Sequence, residues 1–336
     1  MAGRNETEVY VYQQVVVLFS CALSFFGSVL IIFTYVIWTD LRTTPRKLLM
    51  YLSVADLLSA ISYSYGVWRV FKSESWDCVA QGAISTFANT SSFFWTVTVA
   101  IYLYIYIVKS NQRLADGLVS WFHIISSWGV PFGITAAAVC LHKIGYDASE
   151  VSVGWCWISL KASDHVLWMM LTGKIWELLA YLILPVMYVL IKKHIHRAHS
   201  ALSEYRPILA SVRSSDAHTS MADRKMTLIP IIFIALRIWS TIRFLLLLLG
   251  SPARQHPMLV TLHGIGNTLQ GAANCTLFVL FTQLLRSRLA ALLCSCCCWY
   301  TAPESPASDY CERPSACAPS ARGSRAQDIS GPSVNS

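Results

Sequence analysis

The chain has 336 residues, of which 55% are apolar and only 13% are charged. Soluble domains of this length rarely have such a composition, which favours a protein embedded in lipid. The formal net charge of +8 does not indicate nucleic-acid binding, because the basic residues lie in short segments between apolar runs. The sequence therefore predicts an integral membrane protein with no nucleic-acid partner.

Seven apolar runs are long enough to cross a bilayer, whose hydrocarbon core takes a helix of about 20 residues. They cover residues 15–38, 48–68, 79–108, 118–141, 166–191, 226–250 and 258–285. The first run is expected to insert without a cleaved signal peptide, because no basic segment, short apolar stretch and small-residue cleavage site precede it. The predicted fold class is all-α, a polytopic membrane protein with a seven-transmembrane helix bundle at 15–285.

Lysine and arginine predict which side of the membrane each connection faces, since cytoplasmic loops retain positive charge. With the N-terminus outside, most basic residues fall on inner segments, above all at 192–225, and few fall on outer ones. The sequence therefore predicts an extracellular N-terminus at 1–14 and a cytoplasmic C-terminus. A multi-pass protein of the plasma membrane is expected.

After the seventh span, leucines repeat at helical spacing opposite Arg286 and Arg288. This pattern predicts a short amphipathic eighth helix on the inner leaflet, within a segment at 286–299 that also carries a cysteine cluster. The tail at 300–336 is rich in Pro, Ser, Ala and Gly and is predicted to be disordered.

The cysteine cluster at the membrane surface is a candidate site for fatty-acid thioesters. Its members are Cys294, Cys296, Cys297 and Cys298. Unmodified thiols are the alternative, and consecutive cysteines are poorly placed for a tetrahedral zinc site. Lipidation is preferred, and no metal or other cofactor is expected.

Two cysteines lie on the predicted outer side, where disulfides form. Cys78 lies at the outer end of the third span and Cys156 in the largest outer loop, so a disulfide between them is predicted, with two unpaired thiols as the alternative. Of three N-glycosylation sequons, only Asn5 lies in an exposed outer segment. Asn89 and Asn274 lie within spans and are interpreted as polar packing groups.

Four ionisable residues in the fifth and sixth spans are candidate ligand residues, because charge at membrane depth usually serves a site or a partner. Lys174 and Glu177 share a face of the fifth span. Arg237 and Arg243, in the sixth, are separated by about 120° around the helix. One hypothesis is an outward-opening cavity whose net positive charge binds a small anionic ligand. The alternative is an internal salt-bridge network that joins the two spans.

Tryptophan and tyrosine collect at bilayer interfaces regardless of function. Trp68, Trp76, Trp155 and Trp157 lie near outer span ends or in the largest outer loop. The sequence therefore predicts that these four residues belong to an interfacial belt.

Seven spans, an outer disulfide and a surface helix after the last span resemble the architecture of G-protein-coupled receptors. Residues 52–57, LSVADL, resemble the second-span pattern of rhodopsin-like receptors, in which the aspartate, here Asp56, lies in a sodium pocket. The third span ends at 104–109, YIYIVK, without the Asp-Arg-Tyr triplet of that group, and the seventh lacks Asn-Pro-x-x-Tyr. The resemblance to rhodopsin-like receptors is therefore local.

Other motifs resemble the secretin-like and adhesion receptors. They are WGVP at 128–131, CW at 156–157 and LQG at 269–271, the last similar to Phe-Gln-Gly. The combination, without a large ectodomain before the first span, is most similar to the cyclic-AMP-receptor-like receptors. These motifs supply the candidate conformational-switch residues, which are Asp56, Trp128, Pro131 and Gln270.

The resemblance implies a receptor that detects an extracellular ligand and activates a heterotrimeric G protein. The candidate contacts with the G protein lie at the inner ends of the spans and are Lys109, Arg113, Lys192, Lys193, Arg197, Arg224 and Lys225. Serines in the tail imply receptor kinases and arrestins as partners, and the lipidated segment implies membrane lipid.

Proteins of other classes are less consistent with the sequence. A small-solute transporter is the main alternative, but the repeated halves typical of that class are not found. A non-signalling membrane scaffold is a second alternative. A retinal protein would need a lysine in the seventh span, and the run at 258–285 has none. No HExxH motif, nucleophile elbow or pair of carboxylates suggests an enzyme.

Overall fold

The computed structural model describes residues 9–69, 71, 75–119, 121–146, 150, 152–204, 228–282 and 285–292. The predictions for Asn5, Arg224, Lys225, Cys294, Cys296, Cys297, Cys298 and the tail at 300–336 lie outside these residues.

Helices make up most of the described chain, as the apolar runs predict. They are α1 (Val11–Ile37), α2 (Thr44–Arg69), α3 (Trp76–Val108), α4 (Gln112–Val119), α5 (Trp121–Cys140), α6 (His165–Met169), α7 (Ile175–Glu204), α8 (Ile229–Leu248), α9 (Pro257–Thr268) and α10 (Gln270–Phe281). Turns of 3₁₀-helix lie at Thr39–Leu41 and Pro252–Gln255, and a π-helical turn at Met170–Lys174 joins α6 to α7. The first compact unit ends at Thr282, and the helix at 285–292 (α11) belongs to a second unit.

Most of the predicted spans correspond to long apolar helices. Among the described residues, five helical segments are long and apolar enough to cross a membrane, namely Val11–Ile37, Thr44–Arg69, Trp76–Val108, His165–Arg197 and Ile231–Leu248. The fourth predicted span contains a shorter apolar helix at Ile125–Cys140. The fifth is longer than predicted, since α7 continues as far as Glu204.

The seventh predicted span is divided into two 12-residue helices, α9 and α10. Pro257 begins α9, where its missing N–H removes no helical hydrogen bond. At the division, Leu269 N donates to Ile265 O at 2.9 Å and Ala273 N donates to Leu269 O at 3.0 Å. The helical hydrogen bonds thus continue past the division, so α9 and α10 together form the seventh crossing.

Helix α3 lies at the centre of the bundle and packs against α2, α5, α7 and α8. Helix α1 packs against α2, α9 and α10. Two glycines allow helices to approach closely. At Gly266 of α9 a Cβ atom would overlap Leu236 O of α8, and at Gly271 of α10 it would overlap the Ser28 hydroxyl of α1. The short helix α4 was not predicted, and Asn111 Oδ1 caps it by accepting a hydrogen bond from Leu114 N at 3.0 Å.

The loop between α5 and α6 is fixed by a disulfide and a two-stranded sheet. The predicted bond between Cys78, at the start of α3, and Cys156 is present. Next to it, β1 (Ile144–Gly145) pairs antiparallel with β2 (Trp157–Ile158) in the register Ile144 to Ile158. The end of the bundle that carries this loop is called the disulfide end below.

An ion pair closes the same loop nearer α6. Lys143 Nζ lies 2.6 Å from Asp164 Oδ1, and Trp168 Nε1 donates to Asp164 Oδ2 at 2.9 Å. These hydrogen bonds, the one from Lys143 foremost, hold the pKa of Asp164 below its usual range. The pair therefore adds stability at neutral pH, which is lost as the pH falls through the lowered pKa of Asp164.

Removal of the disulfide should destabilise the bundle. It joins residues 78 positions apart, for which loop entropy predicts a loss of about 4.5 kcal/mol in the free energy of unfolding. Cys78→Ser, Cys156→Ser and the double variant should have equally lowered melting temperatures in detergent, because each change removes the same bond. Cys140→Ser, at an exposed free cysteine, is the control. Additive losses in the double variant would contradict the expected result.

Candidate ligand pocket

A pocket lies inside the bundle towards the disulfide end. Its volume is about 650 Å³, including its open mouth, and its walls come from α2, α3, α7, α8, α9, the π-helical turn and the α5–α6 loop. All four residues predicted to bind ligand line it, namely Lys174, Glu177, Arg237 and Arg243. The structure therefore brings together charges that the sequence places on two separate spans.

Lys174 and Glu177 neutralise each other, as one interpretation of the sequence predicts. Lys174 Nζ lies 2.7 Å from Glu177 Oε2 and also donates to Ser240 Oγ. The Glu177 carboxylate further accepts from the hydroxyls of Tyr181, at 2.7 Å, and Thr241. Lys174 ends the π-helical turn, a kind of insertion that is frequent at functional sites. This network joins α7 to α8 and contributes no net charge to the pocket.

Arg243 joins the pocket to both loops at the disulfide end. Its Nε donates to Arg254 O, at 3.0 Å, in the α8–α9 loop, and its Nη1 donates to Ser152 O, at 3.1 Å, in the α5–α6 loop. Nη1 also lies 2.7 Å from His263 Nδ1 of α9. Hydrogen bonds from a charged donor are the strong ones, so this guanidinium holds the two loops and α9 together.

Arg237 makes fewer hydrogen bonds than Arg243. Its Nη2 donates to Asn89 Oδ1 at 2.9 Å, and its Nη1 to Asn267 Oδ1 at 3.2 Å. The guanidinium carbon lies 5.0 Å from the ring centroid of Phe93. Within the described part of the chain, Arg237 Nε has no hydrogen-bond partner and no carboxylate lies within ion-pair distance of the guanidinium. With only 3% of its surface exposed, Arg237 is a buried cation that forms no ion pair with the described residues.

The pocket has a net positive charge. Lys174 and Glu177 cancel, and Glu150, at the mouth, pairs with Arg254 at 3.3 Å. The guanidiniums of Arg237 and Arg243 are then the remaining charges among the lining residues that the structure describes. A positive field inside low-dielectric walls attracts anions.

The predicted interfacial position is wrong for two of the four tryptophans. Trp68 and Trp76 are 72% and 83% exposed, as an interfacial belt predicts. Trp155 is only 3% exposed and packs against Tyr63 at 4.5 Å and His263 at 5.7 Å between ring centroids, while Trp157 lines the pocket. The disulfide next to these residues folds the loop back onto the bundle, so they contact the interior.

Several polar residues of the pocket could not be identified as site residues from the sequence. Asn89 was interpreted as a packing group, and it contacts Arg237, Tyr63 and Ser59. His263 and Asn267 are polar residues of α9, and no motif marks them. The signal that could have found them is their spacing of four residues on one face of the seventh span.

The candidate switch residues lie outside the lining of the pocket. Asp56 accepts hydrogen bonds from Ser92 Oγ and from Asn274 Nδ2, both at 2.9 Å, so Asn274 is a packing group as predicted. Gln270 is 3% exposed, and neither of its amide atoms has a partner among the described residues.

The other two switch candidates are in α5. Trp128 packs against Phe87 at 5.7 Å and against the buried Trp95 at 5.8 Å, which fixes α5 to α3. Pro131 lies inside α5, where a proline removes one helical hydrogen bond. Trp128 therefore lies at the contact of α5 with α3, and Asp56 lies at the contact of α2, α3 and α10.

The described candidates for G-protein contact are exposed at the end opposite the disulfide. Lys109 follows α3, and Arg113 lies in α4. Lys192, Lys193 and Arg197 project from the last turns of α7, which extends well beyond the predicted span. The structure thus separates a basic pocket at one end from a basic surface at the other.

The helical bundle, the disulfide and the central pocket define a membrane receptor. Residues 10–273 match the family described as 7 transmembrane receptor (Secretin family), and the chain belongs to that family. It is a family of receptors, which agrees with the class of protein that the sequence motifs predict.

Three individual receptors are similar to the chain. The chain is 61% identical to G-protein coupled receptor 157 of Homo sapiens over 287 residues, which cover 85% of each chain. It is 60% identical to the Rattus norvegicus protein of that name over 299 residues, 88% of this chain and 89% of the relative. Cyclic AMP receptor-like protein A of Dictyostelium discoideum is 28% identical over 144 residues, 43% of this chain and 36% of the relative. The resemblance to that receptor group, inferred from the motifs, is confirmed.

The Lys174–Glu177 pair is tested by a double-mutant cycle. Lys174→Met and Glu177→Gln should each lower the free energy of unfolding by about 3–5 kcal/mol, because each leaves a buried charge without its partner. The double variant should recover most of that loss. Melting temperatures in detergent provide the measurement, and the more exposed Lys143–Asp164 pair, changed to Met and Asn, should show much smaller effects. Fully additive losses at the buried pair would argue against direct coupling.

Proposed function

We propose that this receptor detects a small anionic ligand in the central pocket and activates a heterotrimeric G protein at the opposite end. The observation that carries the proposal is the buried guanidinium of Arg237, which has no carboxylate partner in the described chain. A buried charge without a counterion is unfavourable by several kcal/mol. An anionic ligand would offset that cost, and so would bind with a large electrostatic contribution.

The pocket also suits a small ligand with an apolar body. Tyr63, Phe93, Trp155 and Phe244 contribute aromatic surface to its lining. Small-molecule sites combine apolar surface with polar groups that fix the orientation of the ligand, and both kinds of side chain line this pocket. The polar groups would orient the ligand, and the aromatic side chains would bury its body.

The orientation follows from the distribution of basic residues. The disulfide end would face the extracellular space of the plasma membrane, because the exposed lysines and arginines of α3, α4 and α7 are at the other end. An acidic surface of a G protein would be attracted to that basic end. Glycosylation at Asn5, lipidation of the cysteine cluster, and binding of arrestins and receptor kinases to the tail remain part of the same proposal.

The pocket is tested by removing the charge of Arg237. Arg237→Gln should lose responses to small carboxylates and organic phosphates in a G-protein dissociation assay, while surface expression stays normal. Arg69→Gln removes the same charge from an exposed position at the same end and should respond like the unchanged receptor. If expression of Arg237→Gln is lost, the guanidinium has a structural role, and if its responses persist, the pocket does not bind the anion through Arg237.

The coupling surface is tested by neutralising the end of α7. A variant with Lys192, Lys193 and Arg197 changed to Gln should dissociate its G protein at least about tenfold less efficiently, since it loses attraction to an acidic partner. Lys161→Gln, in the α5–α6 loop, is the control and should have no effect. Unchanged coupling in the triple variant would contradict the assignment of the G-protein surface to α7.

Absence of dissociation for every G-protein class, with surface expression verified, would favour a transporter or a scaffold.

A further inference from the structure

Four buried polar residues contact one another in series across the pocket. Arg243 Nη1 lies 2.7 Å from His263 Nδ1, His263 Nε2 lies 3.0 Å from Asn267 Nδ2, and Arg237 Nη1 lies 3.2 Å from Asn267 Oδ1. All four are less than 9% exposed. An arginine therefore stands at each end, with a histidine and an asparagine between them.

These four side chains have too few hydrogen-bond acceptors for their donors. A guanidinium only donates, so His263 Nδ1 must accept from Arg243, and the proton of the neutral ring is then on Nε2. That N–H points at one atom of the Asn267 side-chain amide. The other atom of the amide faces Arg237, which is a second donor. The single amide oxygen can face only one of them, and the NH₂ group then opposes the other.

Neither turning the amide nor protonating the ring removes the conflict. With Oδ1 towards Arg237, as observed, Asn267 Nδ2 faces the N–H of His263. With the amide reversed, Nδ2 faces Arg237. A protonated imidazole would also oppose Arg243 at Nδ1. Among the described side chains every arrangement is one acceptor short, and a buried donor without an acceptor is destabilising.

We infer that a ligand carboxylate supplies the missing acceptor between Arg237 and Asn267, an inference that rests on the proposed function. With the amide reversed, Asn267 Nδ2 and Arg237 would both donate to the carboxylate, and Oδ1 would accept from His263. The second oxygen of the carboxylate is available to accept from Thr86 Oγ1, a lining atom without a described partner.

The other charges of the pocket define which carboxylates fit. Both acidic side chains of the lining, Glu150 and Glu177, are already paired with cations, so a ligand ammonium group would find no carboxylate. Aromatic side chains such as Tyr63 and Phe93 line the same space. The ligand class is therefore a small aromatic monocarboxylate without an amino group, and a zwitterionic amino acid is disfavoured.

Asn267 and His263 become positioning residues in this arrangement. Once the carboxylate binds, His263 has a partner at each ring nitrogen, so its orientation towards Arg243 is fixed. Arg243 in turn holds Ser152 O and Arg254 O in the two loops at the disulfide end. Binding at Arg237 is thereby linked to the loops by direct contacts.

The test uses the full-length purified receptor and phenylacetate as the probe. Phenylacetate at millimolar concentration should raise the melting temperature by about 2–4 °C, and the neutral isostere phenylacetamide should not. Phenylalanine, which adds an ammonium group, should give a smaller shift than phenylacetate. Equal shifts for phenylacetate and phenylacetamide would overturn the inference.

Asn267→Asp tests the missing acceptor itself. Its carboxylate accepts from both Arg237 and His263, so the variant without probe should melt above the unchanged receptor, and its phenylacetate shift should be lost. Asn267→Leu, of similar size, should melt below the unchanged receptor and lose most of the shift, and it serves if the aspartate variant does not fold. A retained phenylacetate shift in either variant would overturn the inference.

The G-protein assay separates the two proposals. Dissociation of a G protein by a receptor that gives no phenylacetate shift would overturn the carboxylate site and leave signalling intact. A clear phenylacetate shift that depends on Asn267, without dissociation of any G protein, would support the site and overturn the signalling role.

Discussion

Positive charge buried within an apolar bundle is the constraint around which this receptor is organised. Each buried cation needs a partner, and three different solutions are present. Lys174 has a carboxylate, Glu177, and Arg243 has backbone carbonyls and a histidine. Arg237 has two amide oxygens and an aromatic face but no carboxylate within ion-pair distance in the described chain. The first two arrangements hold elements together, and in the proposed function an anionic ligand would complete the third.

The same contacts explain why the pocket and the disulfide end form one structure. The disulfide and the small sheet fold the α5–α6 loop inward, which places Trp155 against Tyr63 and His263. Arg243 then joins that loop to α8, α9 and the α8–α9 loop. Contacts between neighbouring side chains therefore connect Arg237 with these loops through Asn267, His263 and Arg243.

The sequence predicts the bundle and its charges well, because apolar length and ionisable residues at membrane depth are strong signals. It correctly predicts the Cys78–Cys156 disulfide and brings Arg237 to attention. It does not predict the division at Leu269 or the π-helical turn before Ile175, since the apolar run of a span carries no signal for a local change in helical geometry. It also misplaces Trp155, because an aromatic residue in an outer loop resembles an interfacial anchor until the loop is folded back.

The claim that a ligand carboxylate binds between Arg237 and Asn267 is tested most directly by a high-resolution structure of the purified receptor with 4-iodophenylacetate. The iodine of this probe marks the position of its ring. The carboxylate should lie between the guanidinium of Arg237 and the side-chain amide of Asn267, with the ring among the aromatic side chains of the pocket. A probe bound elsewhere, or a pocket in which Arg237 still contacts only Asn89 and Asn267 at saturating probe, would contradict it.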